Sequence, residues 1–332
     1  ILSLSASSNG IYYQNYNIAF TEPWLGGKKP NSLSVSLYKS ISSNGQQGDS
    51  RQAIEIAGLT VGLGKRLKFP DDYFTLYNAI NVQQYKLINN QSFFSFSNGY
   101  SNNINYNIKI GRNSTDQLIY PRRGSNFSLS LKITPPYSMF DGIDDYSSVS
   151  DQDKYAWIEY YKWKFKSSWF SAFSEKLVLN TRVEMGLLGA YNNNLGVAPF
   201  ERFYVGGDGM SGMGYQFDGR ELISLRGYSN NSISPQTGAT IYSKYTTELR
   251  YAISLNPSST VYALGFLEAG NAWDNFDNYN PFQVKRSAGF GVRLMLPMIG
   301  MMGLDYGWGL DDITGRPDAN GGQFHFSIGQ QF

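Results

Sequence analysis

Residues 103–110 read NINYNIKI, and the alternation in this octapeptide decides the fold. Every second side chain is apolar, while the side chains between them are asparagines and one lysine. Successive side chains of a β-strand point to opposite faces, so the pattern indicates a strand with one apolar and one polar face. The same alternation returns in FSLSLKI (127–133), LRYAI (249–253) and FHFSI (324–328), and helical periodicity is scarce. The chain is therefore predicted to be all-β.

The alternating segments favour a membrane barrel over a large soluble β protein, whose strands would also alternate. They run to about 9–12 residues, the length that a tilted strand needs to cross a bilayer. Asn, Ser, Lys, Arg and Glu fill the polar phase, and aromatic residues, which make up 16% of the chain, often stand at segment ends. We therefore predict a transmembrane antiparallel β-barrel with a polar lumen.

The predicted barrel has 16 strands, of which about 15 lie in this chain. Single-chain bacterial barrels usually have an even number of strands, so an odd count predicts one more strand upstream of Ile1. The strand segments are 1–7, 11–20, 32–41, 53–64, 72–87, 101–112, 125–134, 155–168, 175–190, 200–206, 240–254, 260–273, 284–296, 299–308 and 323–332.

The composition offers little for nucleic-acid binding or for catalysis. The 28 basic and 26 acidic residues nearly balance, so no basic patch argues for a nucleic-acid partner. Cysteine is absent, which excludes disulfides and thiolate metal sites. The single histidine, His325, falls in the polar phase of the last segment. There we expect an ordinary lumen-facing side chain and not a catalytic base.

Two other motifs lack the sequence context that their chemistry requires. Residues 207–212 read GDGMSG, which formally matches a phosphate-binding loop, but polar loop sequence follows where a helix would be needed. The acidic stretches 274–278 and 310–318 do not have the spacing of a calcium loop. We therefore expect no enzymatic activity, no cofactor and no metal site.

Three stretches, taken together, resemble the BamA family of outer-membrane assembly barrels. They are FTEPWLGG (20–27), then FERFYVGGDG…LRGYSNNSISP (200–235), and finally the chain end, from KRSAGFGVRLMLPMIGMMGLDYGW (285–308) to QFHFSIGQQF (323–332). Each stretch is a weak signal by itself, but their order and spacing are specific. The sequence FTEPWLGGKKP (20–30) looks most like the Bacteroidota branch of that family.

The resemblance implies an architecture and a function. Residues 1–332 would be the transmembrane β-barrel domain, with strand 1 and soluble POTRA modules upstream of it, and 207–239 a long extracellular loop that folds into the lumen. Such a barrel is integral to the bacterial outer membrane and inserts other barrels through a lateral seam. The partners implied are unfolded outer-membrane barrel clients, accessory envelope lipoproteins, outer-membrane lipids and lipopolysaccharide.

The resemblance also implies a latch between the loop and the lumen wall. Arg226, at the loop tip, would pair with Glu248 and Glu268, while Gly227 allows a tight turn and Tyr228 packs against the wall. A guanidinium matches carboxylates with a planar fork of donors. Glu248 lies in the polar phase of its strand, as a lumen residue should. Glu268 shares its phase with large apolar residues, so the pattern does not decide which way it points.

Other residues of the resemblance have structural roles. Gly206 and Gly207 are expected to form a turn at the base of the loop, although the span to Arg226 is longer than in the family and includes MGYQFDGREL (213–222). The terminal-strand signal, which also borders the seam, consists of Phe324, Phe326, Ile328 and Phe332.

Two alternative functions stay open at this point. A secretion or translocation barrel of the same superfamily, of the two-partner secretion or TamA-like kind, shares the Arg-Gly-aromatic loop. A passive porin is the other, although porins constrict the lumen with an early loop and the marked loop here lies late in the chain.

Overall fold

The computed structural model describes residues 1–27, 31–90, 95–143, 145–209, 220–256, 259–296 and 300–328, and these contain sixteen strands. The strands are β1 (Leu2–Asn9), β2 (Tyr13–Glu22), β3 (Asn31–Ser43), β4 (Ala53–Arg66), β5 (Phe74–Ile88), β6 (Gly99–Asn113), β7 (Arg123–Ile133), β8 (Tyr161–Ala172), β9 (Leu177–Gly189), β10 (Phe203–Val205), β11 (Glu221–Ile223), β12 (Ile241–Asn256), β13 (Ser259–Trp273), β14 (Lys285–Leu296), β15 (Gly300–Gly309) and β16 (Gly322–Ile328). One short helix, α1 (Asp151–Lys154), lies between β7 and β8. No helix in the described ranges is long and apolar enough to cross a membrane.

Fourteen of the strands form one antiparallel sheet in chain order, with β9 next to β12. Apart from β9 and β12, which the lumen loop connects, each strand of this sheet pairs with its sequence neighbours, as is usual for consecutive antiparallel strands. Within the described residues, β1 and β16 are the two edges of this sheet, and each pairs on one side. The all-β antiparallel fold predicted from the alternation is confirmed.

The alternation sorts side chains between an interior and an outer face. On β6, Asn103 and Asn105 are buried while Tyr106 is exposed, and on β12 Glu248 is buried next to the exposed Leu249. The outer face therefore carries an apolar band, as lipid-facing strands require. Exposed members of this band include Ile18, Leu37, Val61, Ile80, Tyr251, Leu267, Val292 and Leu304.

One buried cluster shows that the sheet curves round a shared interior. The ring of Phe200, in the loop after β9, lies 4.5 Å from the ring of Tyr85 on β5. Phe203 of β10 lies 4.7 Å from Tyr242 on β12, measured between ring centroids. Residues of β4 and β13 belong to the same cluster. These strands are far apart in the sheet order, yet all of them contact the same loop. The sheet therefore curves round a lumen that holds the loop.

The assignment of 200–206 to the barrel wall is wrong. Only Phe203–Val205 is a strand, β10, and it pairs in parallel with β11 in a separate two-stranded sheet inside the lumen. Phe203, Tyr204 and Val205 are all buried, so the segment has no alternating lipid-facing side. A wall strand has one set of alternate side chains exposed to lipid, whereas both sets of this segment are buried. The odd strand count, and the parity argument built on it, came from including this segment.

Candidate functional site

The loop between β9 and β12 fills the lumen with two paired arms. Gly206 donates its N–H to the carbonyl of Ile223, and Gly207 exchanges backbone hydrogen bonds with Leu225 in both directions. Gly206 and Gly207 have φ of 128° and 76°, and a Cβ at either would collide with the 229–232 segment. The expected loop-base turn is therefore wrong in position: these glycines lie beside the loop tip, because their missing side chains let the returning chain pack against them.

Arg226 at the loop tip is fully buried, and it contacts three carboxylates on the lumen wall. Its Nη2 lies 2.9 Å from Glu248 Oε1 and 2.8 Å from Glu268 Oε1, and its Nη1 lies 3.4 Å from Asp305 Oδ1. The backbone N–H of Arg226 also donates to Glu268 Oε2 at 2.9 Å. Its guanidinium carbon stands 3.6 Å from the centroid of the Phe266 ring. The structure thus brings Arg226 of the loop together with Glu248 on β12 and Glu268 on β13, as predicted, and with Asp305 on β15.

Each of the three acids also has a cation from the wall itself. Arg250 donates to Glu248 at 2.5 and 2.9 Å. Lys244 lies 3.1 Å from Glu268. Arg293 donates to both oxygens of Asp305 at 2.9 Å. Since a buried charge costs several kcal/mol unless it is paired, these wall cations offset part of the cost of burying the three acids. Burial opposes the charge of Arg226, yet the three carboxylates raise its pKa above the usual range.

The two residues after Arg226 fix the tip against the last strands. Gly227 has a φ of 85°, and a Cβ there would lie 2.6 Å from the backbone of Trp308 and of its neighbour on β15. The Gly227 N–H donates to His325 Nε2 at 2.8 Å. Tyr228 is buried and donates its hydroxyl to the carbonyl of Arg286 at 2.6 Å. Burial raises the pKa of Tyr228 to about 12, so this donor stays protonated.

Two wall residues of this latch were missed by the sequence reasoning. Asp305 on β15 is the third acid, and His325 on β16 is not the ordinary polar side chain that we expected, because it accepts the Gly227 N–H. Its Nε2 is an acceptor here, so the neutral ring carries its proton on Nδ1. The available signal was the phase. Asp305 stands between Leu304 and Tyr306, and His325 stands between Phe324 and Phe326, so each polar residue alternates with large apolar ones. The two are directly paired across β15 and β16.

The direction of Glu268 has a simple cause in β13. Its phase, with Tyr262, Leu264 and Phe266, faces the interior, and these apolar side chains are all buried. The ring of Tyr262 meets that of Tyr120 edge to face at 5.1 Å between centroids, and Phe266 lies under the guanidinium of Arg226. The inward phase of this strand thus tolerates large apolar side chains, because they pack with Tyr120 from a loop and with wall residues such as Phe170 and Val178.

The terminal strand presents its apolar residues outward. Phe324, Phe326 and Ile328 are exposed at 75%, 42% and 47%. They continue the lipid-facing band at the edge of the sheet, whereas Phe332 lies outside the described residues.

Comparison with known proteins relates this barrel to a superfamily. The Omp85 superfamily domain matches residues 1–332, the whole chain. The chain is 26% identical over 179 residues to the outer membrane protein assembly factor BamA of Neisseria meningitidis serogroup B. The aligned region covers 49% of this chain and 18% of that protein.

Solved structures share the fold. BamA from Haemophilus ducreyi lacking POTRA domains 1–3 matches with a TM-score of 0.70 at 19% identity, over 98% of this chain and 63% of that one. CdiB from Escherichia coli matches with a TM-score of 0.56 at 13% identity, over 95% and 52%. This chain thus spans less than two thirds of each relative's length. The resemblance to BamA barrels is confirmed, while that to the Bacteroidota branch stays a prediction. The chain, an integral β-barrel of the bacterial outer membrane, belongs to the Omp85 superfamily.

Proposed function

We propose that this chain is the barrel of an outer-membrane assembly factor that folds and inserts other β-barrel proteins through a lateral seam. The observation that carries the proposal is the loop latched across the lumen. Arg226 and Tyr228 are fully buried, and the loop packs on walls as distant as β4 and β13. A lumen filled in this way leaves little room for a protein to pass, which favours a function at the edge of the sheet.

The edge of the sheet provides a surface for that action. β16 pairs with β15 from Met302↔Ile328 to Trp308↔Gly322, and its other side has no strand partner within the described residues. Such an edge presents unpaired N–H and C=O groups, which can template an incoming strand. The proposed mechanism is strand addition beside a disturbed bilayer, and it involves no covalent chemistry. Its partners would be unfolded barrel clients, with accessory lipoproteins, outer-membrane lipids and lipopolysaccharide around them.

A secretion barrel is the second candidate. The likeness to CdiB, which covers 95% of this chain, favours it, since that protein shares the fold. The two functions differ in whether the loop must leave the lumen: export through the barrel needs an open path, while strand addition at the edge does not.

Depletion of the full-length protein in its host bacterium tests the choice. We expect several unrelated outer-membrane barrels to decline together, measured by quantitative proteomics of outer membranes. Normal accumulation of those barrels would rule out the assembly function, and loss of one secreted protein alone would favour secretion.

Disulfide crosslinking tests the proposed edge directly, because the chain has no cysteine. Phe326→Cys lies on β16, and Leu304→Cys lies directly opposite it, one strand further from the edge. With a client that carries one cysteine in its terminal strand, we expect crosslinks to Phe326→Cys and few to the matched Leu304→Cys variant. Equal yields at both positions would argue against strand addition at β16.

A further inference from the structure

Lys162, near the start of β8, is a buried lysine that the tip latch does not involve. Its side chain is 1% exposed, and its Nζ has three acceptors. They are the Glu201 carbonyl at 2.7 Å, Glu201 Oε2 at 3.0 Å and Glu221 Oε2 at 2.7 Å. The ring of Phe203 lies 4.6 Å from the same nitrogen. An ammonium has three N–H groups, so each one has a partner here.

The two carboxylates come from the two arms of the lumen loop. Glu201 precedes β10, Glu221 opens β11, and these strands pair in parallel from Phe203↔Glu221 to Val205↔Ile223. Glu221 belongs to the 213–222 stretch, by which the loop is longer than the family resemblance led us to expect. The added length therefore supplies one of the acids that Lys162 holds.

Two further lysines flank this contact without replacing it. Lys164 Nζ lies 2.6 Å from Glu221, and Lys132 Nζ lies 3.5 Å from Glu201. Their side chains are 41% and 35% exposed, so water screens their charges. Lys162 is the buried member of the three, and it touches both acids.

The arms lead directly into the tip. β11 ends at Ile223, and Arg226 follows three residues later. A chain extends at most about 3.6 Å per residue, so Arg226 must stay within roughly 10 Å of the end of β11. Holding β11 therefore limits where Arg226 can go.

We propose that Lys162 is a positioning residue that clamps both arms of the lumen loop and so keeps Arg226 within reach of its three acids. The inference deepens, and rests on, the proposed function, in which the latched loop closes the lumen. The clamp on β8 and the latch on β12 to β16 hold the loop at two separate stretches of wall.

A buried thiol reports on the clamp in the purified full-length protein. Ser232 is 5% exposed and its hydroxyl has no hydrogen-bond partner among the described atoms, so Ser232→Cys adds a nearly isosteric probe beside the tip. We expect Lys162→Met to raise the rate of maleimide labelling at this thiol about tenfold or more, as loss of a buried ion-pair partner should. The matched Lys164→Met control, at a half-exposed lysine, should raise it less than about threefold.

A second reporter separates local release from unfolding. Ser327 on β16 is fully buried and lies six strands from β8 in the sheet order, so Ser327→Cys should label slowly in both variants. If Lys162→Met accelerates both thiols, the barrel itself has loosened, and Glu221→Gln then takes its place as the milder variant. An unchanged rate at Ser232→Cys in Lys162→Met, or in Glu221→Gln after such loosening, would overturn the proposal. The double variant Lys162→Met, Glu221→Gln gives a further check. If its labelling rate rises by the product of the two single-variant factors, the residues do not couple, as contacting residues should, and the proposal is also overturned.

Client assembly by the same variants tells the two proposals apart. Fast labelling with normal assembly would uphold the clamp and count against the latched loop in the proposed function. Lys162→Arg keeps the charge and should restore slow labelling at least in part.

Discussion

Arg226 is buried completely, so its charge is tolerated only while its acids are present. Truncating it leaves Glu248, Glu268 and Asp305 with the wall cations alone, and truncating an acid leaves Arg226 short of a partner. Removing one member of a buried pair costs about 3–5 kcal/mol when the other remains buried. A few charged side chains thus contribute most of the stability of the latched loop tip.

We expect Arg226→Ala and Glu268→Ala each to make the loop more sensitive to protease, with a free-energy cost of about 3–5 kcal/mol for loop closure. The double variant should be less than additive by about 1–3 kcal/mol, since the two residues touch. Arg51→Ala, which removes a half-exposed pair with Glu55, is the control and should cost less than about 1 kcal/mol. Additive costs would show that Arg226 and Glu268 do not interact.

Gly227 gives a second residue-scale prediction. Gly227→Ala combines a positive φ with a Cβ 2.6 Å from the backbone of β15, which cannot move aside. Gly196 also has a positive φ, 72°, but nothing lies near its Cβ position. We expect Gly196→Ala to cost about 1–2 kcal/mol from conformation alone, and Gly227→Ala to cost about 1–3 kcal/mol more from overlap. Protease sensitivity of the loop measures both, and equal costs would contradict close packing at the tip.

At the scale of elements, each wall strand is specified by its two phases. A charge in the outward phase should be costly in proportion to its depth. Leu249, in the middle of β12, is 45% exposed and Leu255, near its end, is 42% exposed. We expect Leu249→Arg to destabilise folding into vesicles by about 2–4 kcal/mol and Leu255→Arg by about 0–1 kcal/mol, measured by urea titration. Equal costs would mean that the two positions do not differ in membrane depth.

The arm of the loop before β10 gives a pH-dependent prediction. Burial raises the pKa of Glu201, but the ammonium groups of Lys132 and Lys162 outweigh it and lower the pKa to about 2. A carboxylate whose pKa is lowered in the folded state stabilises that state above its ordinary pKa of about 4.3, and the contribution is lost as pH falls towards 2.

Pepsin cleavage of the loop tests this expectation. At pH 5 the native loop should be better protected than that of Glu201→Gln, and the difference should shrink as the pH approaches 2. A difference that stays constant over this range would show that the charge of Glu201 does not hold the arm.

At the scale of the whole molecule, the latched loop should make the barrel a poor channel. In planar bilayers we expect the native full-length protein to show small, infrequent conductance and Arg226→Ala to show larger or more frequent openings. Arg51→Ala serves again as the control. A large and steady conductance that Arg226→Ala leaves unchanged would favour a porin.

Much of the wall could be predicted from sequence because alternation is a local property. Thirteen of the fifteen predicted segments overlap a wall strand through all or most of their length, and 155–168 overlaps one in its second half. The exception, 200–206, failed because a buried strand in the lumen also reads as apolar and aromatic. Glu248 followed from its phase, whereas Asp305 and His325 stood in the correct phase but had no sequence signal that linked them to the loop.

The sequence by itself determined the sheet, the lipid-facing band and the nature of the arginine at the loop tip, because period and residue type are written along the chain. Only the tertiary structure decided which acids meet Arg226, which way Glu268 points and what Lys162 holds. Those pairings join residues that are 22 to 98 positions apart, and they depend on how the curved sheet presents its inner face to the loop. No local pattern encodes that distance, since a lumen exists only after the sheet has curved.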